Sequence, residues 1–190
     1  MVLGVAGVGK TSFGKRLAEA LDLAFIDVPE LVRDRRLYTA YDPEAQAYIV
    51  DMRRVSIAVG SLLKECGGVV ASIYAFKPRG VEVRAAIVLR MKPTKLIQIL
   101  MERGYPRKKI QENVSAELVD QPLIEAIQKF GKRRVIQLDA TDRDLNALAK
   151  AVAEKLRERR LRSLDERIDW IAELEESGEI EKLLEFLEAD

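Results

Sequence analysis

The sequence predicts an α/β fold of three layers, with helices on both faces of a parallel five-stranded sheet, and three observations carry that prediction. Five short apolar runs are continuous rather than alternating, segments of helical period separate them, and Gly4–Thr11 matches G-x-x-x-x-G-K-[ST] directly after the first run. Continuous runs fit strands buried on both faces, and connections of more than ten residues leave room for crossover helices.

Met1–Leu3 is the first run. It is shorter than the roughly five residues of a usual strand, so the expectation is either a clipped first strand or a natural start upstream. The other strand candidates are Leu23–Ile26, Gly68–Ala71, Ala85–Leu89 and Val135–Leu138. Between them, Phe13, Leu17, Ala20 and Leu21 recur at helical spacing, as do Leu96, Ile97, Leu100 and Met101, and both sets read as helices packed on the sheet. From Asp144 onward the chain reads as almost wholly helical. Leu145, Leu148, Ala149, Val152 and Leu156 form one stripe, Ser177-Gly178 ends a helix, and Ile180, Leu183, Leu184 and Leu187 line the last one. The expected organisation is a core domain over residues 1–160 and a C-terminal helical extension over 161–190.

Of the 190 residues 48% are apolar and 33% charged, the balance of a globular chain that can offset the entropy of ordering its backbone. The formal charge is only +1, so no global field directs the chain to nucleic acid or an anionic membrane. Arg157, Arg159, Arg160 and Arg162 form a local basic cluster, read either as a solvated helix face or as a patch. Histidine is absent, which removes histidine bases and most zinc sites, and Cys66 alone cannot form an intrachain disulfide. A cytoplasmic protein without a membrane partner is expected.

The glycine motif is where a phosphate-binding loop belongs, between strand and helix. Glycines let the backbone wrap an anion closely, unpaired N–H groups at the helix start face it, Lys10 reaches the β- and γ-phosphates, and Thr11 is the Mg²⁺ ligand. This makes the expected fold that of a P-loop NTPase.

A spaced series then narrows the choice: Val88-Leu89-Arg90, Arg103-Gly104-Tyr105, Lys109 to Asn113, Ala116-Glu117 and Asp120. Together with Leu37-Tyr38, Tyr41-Asp42, Asp51 and Arg54-Val55, and more loosely Asp169-Trp170, it resembles the adenylate kinase isoenzyme six family. The resemblance implies a nucleoside monophosphate kinase-like core with a monophosphate-binding insertion at about 27–50 and a lid at about 102–112. It implies ATP contacts at Gly7, Gly9, Lys10, Thr11, Ser12 and the lid residue Arg103, with Mg²⁺ accompanying ATP. It also implies an AMP-type acceptor, ATPase activity, and a role in small ribosomal subunit maturation beside a ribosomal protein of the S-eleven family, with RNA met only inside pre-ribosomes.

Arg103, Arg107, Lys108 and Lys109 suit a segment that closes over the γ-phosphate, Lys10 and Arg103 being the catalytic candidates. The other reading of Arg103 is a cation at a helix C-terminus, with Gly104 as the stop. Arg90 follows a strand at the carboxyl edge, where ligands bind in open sheets; it is read as a monophosphate contact or as half of a structural ion pair. Tyr38 and Tyr41, with Tyr48, are candidates to frame a base. Asp27 and Asp51 are candidates for a ribose or a phosphate-bound metal, or else helix caps. Where the family has an Asp and then a His after the third strand, this sequence has Ser72 and Tyr74. Ser72 is therefore expected to be at most a weak metal contact, because a neutral hydroxyl lacks the charge that fixes the ion. That departure opens the alternative of a degenerate kinase fold acting as an ATP-gated assembly factor.

Overall fold

The structure, a computed structural model, describes residues 1–43 and 47–189. The elements run β1 (Val2–Leu3), α1 (Lys10–Leu21), β2 (Phe25–Asp27), α2 (Val28–Asp34), β3 (Tyr38–Asp42), β4 (Ala47–Val50), α3 (Met52–Leu63), β5 (Val69–Ala71), β6 (Ala86–Arg90), α4 (Pro93–Glu102), α5 (Arg107–Leu118), α6 (Gln121–Phe130), β7 (Val135–Asp139), α7 (Leu145–Arg157), α8 (Trp170–Glu176) and α9 (Ile180–Glu188).

Five strands form one parallel sheet in the order β2-β5-β1-β6-β7. All five residues of β6 are buried, and they alternate between two cores. Ile87 and Leu89 join Phe13, Leu96, Val114 and Val152 on one face, whereas Ala86 and Val88 meet Ala126 and Phe130 on the other. This double burial is why the runs read as continuous. A third cluster, with Val28, Val55 and Val59 against Ile26 and Val70, seats α2 and α3.

The edge strand β7 is covered. Asp165 and Glu166 accept from the amides of Gln137 and Asp139 at 3.0 and 2.6 Å, and the Glu166 amide donates to the Gln137 carbonyl, so the open rim of the sheet is satisfied by side chains and one turn.

Two regions depart from expectation. The segment between β2 and α3 contains the antiparallel hairpin β3-β4, which no apolar run signalled; of the expected insertion, residues 44–46 lie outside the described residues. The tail after Asp144 is not one helical stretch, because α7 ends at Arg157. Arg159 takes φ 58° at the position glycine usually fills, and the Arg160 amide closes onto the Lys155 carbonyl at 2.8 Å. Residues 158–169 then run as turn, a single 3-10 helical turn over Leu161–Leu164 and loop before α8. Gly178 ends α8 with the same geometry, the Glu179 amide reaching the Leu174 carbonyl. Trp170, Leu174 and Leu183 belong to the same core as the sheet, so α8 and α9 are seated on it.

Candidate functional site

The phosphate loop leaves the carboxyl end of the central strand β1 and runs into α1. Gly4 is required by space as well as by conformation, and Gly9 by its conformation with a leucine methyl close by. A Cβ on Gly4, at φ 140°, would lie 2.5 Å from the Leu89 carbonyl oxygen, and one on Gly9, at φ 90°, 2.6 Å from a Leu145 methyl. The loop is therefore clamped between β6 and α7 with no room for a side chain on its inner turns. From the other side Asn113 of α5 accepts from the Ala6 amide at 2.9 Å, and its own amide donates to the Lys109 carbonyl.

Lys10 folds back so that Nζ donates to the Val5 carbonyl at 2.6 Å. Burial lowers its pKa to about 8; Asp27 and Glu117 pull the other way, and the nearby positive charge of Arg103 adds to the depression. Arg103 itself is exposed, at the C-terminus of α4, where the Tyr105 amide returns to the Leu100 carbonyl and Gly104 takes φ 69°. Gly104 is thus a helix stop, and Arg103 stands at a fixed corner close enough to Lys10 to be felt by it. Most of the expected lid is the first half of α5, held down by the buried Ile110 and Val114. Arg107 is 5.2 Å from the Phe186 ring, and Gln111 donates to the Phe186 and Ala189 carbonyls, so α9 is fastened to this helix.

Thr11 Oγ1 donates to Asp27 Oδ2 at 2.6 Å, while the other Asp27 oxygen caps α2 by accepting from the Glu30 amide. A hydroxyl and a carboxylate at the mouth of the loop are hard oxygen donors of the kind Mg²⁺ takes, and the pair fits that ion. Among the described residues no group of three or more His, Cys, Asp or Glu could hold a metal unaided. Ser12 is exposed in the first turn of α1.

Ser72, expected as a weak metal contact, is turned away from that work. It is fully buried, donates to the Tyr74 carbonyl at 2.8 Å and accepts from the Tyr74 amide at 3.0 Å, so its proton and one lone pair are engaged in its own turn. The carboxylate of Asp27 stands on the neighbouring strand, where the residue pairs in register with Ala71.

Arg90 is corrected as a monophosphate contact: the ion-pair reading fits. Its side chain is fully buried and donates to Glu117 Oε1 at 2.6 Å, to Gln137 at 2.7 Å, to the Glu117 carbonyl at 2.9 Å and to Asp120 at 2.5 Å. Glu117 Oε1 also accepts from the Met91 amide and from the Trp170 indole at 2.9 Å. Burial pushes the Glu117 carboxyl above its usual range against these partners, and its Oε2 has no hydrogen bond. Asp51 is a helix cap, accepting from the Arg53 and Arg54 amides. Tyr38 stacks on Tyr48 at 4.2 Å and Tyr41 meets Tyr48 edge-on at 5.3 Å, and Tyr41 is the most exposed of the three candidate tyrosines.

Asn113, Gln111, Glu117 and Trp170 are the positions whose part in the site was not read from the sequence. Their spacing carried a resemblance, but their contacts cross between distant elements.

A family described as "AAA domain" matches residues 1–120. A relative from Saccharolobus solfataricus named "Putative adenylate kinase" is 30% identical over 183 residues, covering 96% of this chain and 92% of that protein. One of the same name from Pyrobaculum aerophilum is 34% identical over 193 residues, covering 99% and 91%. Among solved structures, a gluconokinase from Sinorhizobium meliloti 1021 aligns at TM-score 0.51 and 23% identity over 83% of this chain and 92% of that one, which speaks to fold alone. The chain belongs to the AAA-domain family of P-loop proteins and to the family of these archaeal relatives.

Proposed function

We propose that the chain transfers the γ-phosphoryl group of MgATP to AMP or a related nucleoside monophosphate. The observation that carries this reading is the contact of Asp27 with Thr11 at the mouth of a glycine loop that also holds Lys10. In the proposed reaction an acceptor phosphate oxygen forms a bond to the γ-phosphorus, the bond to the β–γ bridging oxygen breaks, and two nucleoside diphosphates leave. Lys10 swings from the Val5 carbonyl to the γ-phosphate, and Arg103 adds a second cation on the same side. Asp27 and Thr11 would hold Mg²⁺, which when bound neutralises β- and γ-oxygens. Tyr41 and the exposed side of the β3-β4 hairpin would face the acceptor. ATP hydrolysis follows where water replaces the acceptor.

The resemblance extends the reading to ribosome maturation with an S-eleven family partner, and this remains part of the proposal. The alternative, an ATP-gated assembly factor with little kinase activity, drew on Ser72; the placement of Asp27 favours the enzyme. ADP formation from MgATP with and without AMP tests the choice. Ser72→Asp is expected to leave the rate unraised, because charge is already supplied one strand away. A rise of tenfold or more, the order of an added electrostatic group, would contradict this.

Lys10 makes MgATP binding pH-dependent. Its lowered pKa means the free protein loses this charge as pH rises through about 8, while a bound phosphate favours the ammonium form. Affinity is therefore full below about pH 8 and weakens above it, and binding between pH 8 and 9.5 takes up as much as about one proton. Calorimetry in two buffers of different ionisation enthalpy reads this uptake; identical heats at pH 8.5 would refute it.

A further inference from the structure

A cleft of about 590 Å³ opens at the amino-terminal edge of the sheet, among the ends of α7, β6 and β7. Six arginines line it: Arg84, Arg133, Arg134, Arg157, Arg159 and Arg162. The phosphate loop lies at the opposite, carboxyl edge of the same parallel strands, about 15 Å away at 3.3 Å per residue. This is a separate place on the molecule.

The charge in the cleft is only partly compensated, and part of it is held rigidly. Arg134 pairs with Glu82 at 2.8 Å and Arg162 with Asp165 at 2.9 Å, and no described acid forms an ion pair with the other four. Arg157 donates to the Ala20 carbonyl, and Arg162 donates to the Lys132 and Val135 carbonyls at 2.7 and 2.9 Å. Carbonyl oxygens orient a guanidinium without cancelling its charge. Glu158, the acid nearest in sequence, is engaged by Lys155 at 2.7 Å. The whole chain carries only +1, so this much positive charge in one concave place is a local concentration with self-repulsion to overcome. Guanidinium forks match phosphate oxygens in pairs, which is the natural compensation. The described lining includes no aromatic residue, so a base-stacking platform is absent and the phosphate groups themselves are what can be recognised.

We propose that this arginine cleft is a second anion site that binds two or more closely spaced phosphate groups. Compact polyphosphate and the phosphodiester backbone of a nucleic acid share that chemistry. The test is a titration of the full chain with tripolyphosphate in magnesium-free buffer at 0.15 M salt, followed residue by residue through amide NMR shifts. Residues 131–136 and 157–162 should shift together and saturate, independently of Gly7–Thr11. Arg133→Glu with Arg159→Glu changes two exposed side chains that make no ion pair among the described residues, so the fold should keep its melting temperature. In this variant, affinity at the cleft should fall at least about tenfold while the phosphate-loop shifts persist. Shifts confined to the phosphate loop, or equal cleft affinity in the double variant, would overturn the proposal, the latter meaning an adventitious ion only. Displacement of tripolyphosphate by a mixed-sequence single-stranded RNA 12-mer assigns the site to a nucleic-acid backbone. Failure to displace it assigns the site to compact polyphosphate.

Discussion

Asp27→Asn is expected to lower ADP formation from MgATP and AMP by about 100- to 1,000-fold, equivalent to about 2.7–4 kcal/mol of transition-state stabilisation. The substitution isolates charge. Asparagine keeps the size of the side chain; its one oxygen can still cap α2 by accepting from the Glu30 amide, and its NH2 group, in place of the second oxygen, can donate to the Thr11 hydroxyl, so the loop and the helix start stay in place. What disappears is the carboxylate charge that touches Thr11 at the mouth of the loop. ATP binding without metal should change little, whereas the Mg²⁺ concentration needed for half-maximal rate should rise. A variant turning over within about twofold of the parent would mean that the metal is held elsewhere.

Arg90→Ala is expected to destabilise the chain by about 3–5 kcal/mol, because it leaves the buried Glu117 carboxylate without its cation. For a chain of this size that is a fall in Tm of about 10–15 °C. The magnitude follows from position: both side chains are fully buried, and Glu117 already carries one oxygen with no hydrogen bond. Glu117→Gln should cost less, since Asp120 and the Glu117 carbonyl continue to hold Arg90. Thermal unfolding of the two variants separates the ion-pair account from a ligand-binding one. If Arg90→Ala melts within about 2 °C of the parent, or if Glu117→Gln is the more damaging, the buried network does not have the role assigned to it.

The five strands and the phosphate loop were legible because each is governed by neighbours in sequence. β6 reads as an unbroken apolar run since both its faces are covered, and the glycine motif is a single turn between two elements. The hairpin β3-β4 gave no such signal: Tyr41 and Ile49 are exposed, so no apolar periodicity marks it. The break after α7 was hidden because an arginine, not a glycine, adopts the left-handed turn at position 159. In the site, the limit was distance along the chain. Asp27 reaches Thr11 across 16 residues, Arg90 reaches Glu117 across 27, and Trp170 reaches Glu117 across 53. Such contacts depend on which strands are neighbours and on how helices lie over them. Ser72 shows the same limit from the other side: its position suggested a role in metal binding, and only the turn it makes with Tyr74 reveals that its hydroxyl is engaged.

The most direct measurement is the rate at which the purified chain makes ADP from MgATP, taken with AMP present and with AMP omitted. Two molecules of ADP should appear for each ATP consumed when AMP is supplied, with only slow hydrolysis to one ADP when it is not. Consumption of ATP that is indifferent to AMP and to the other nucleoside monophosphates, in protein that still binds ATP, would contradict the assignment of phosphoryl transfer to this site.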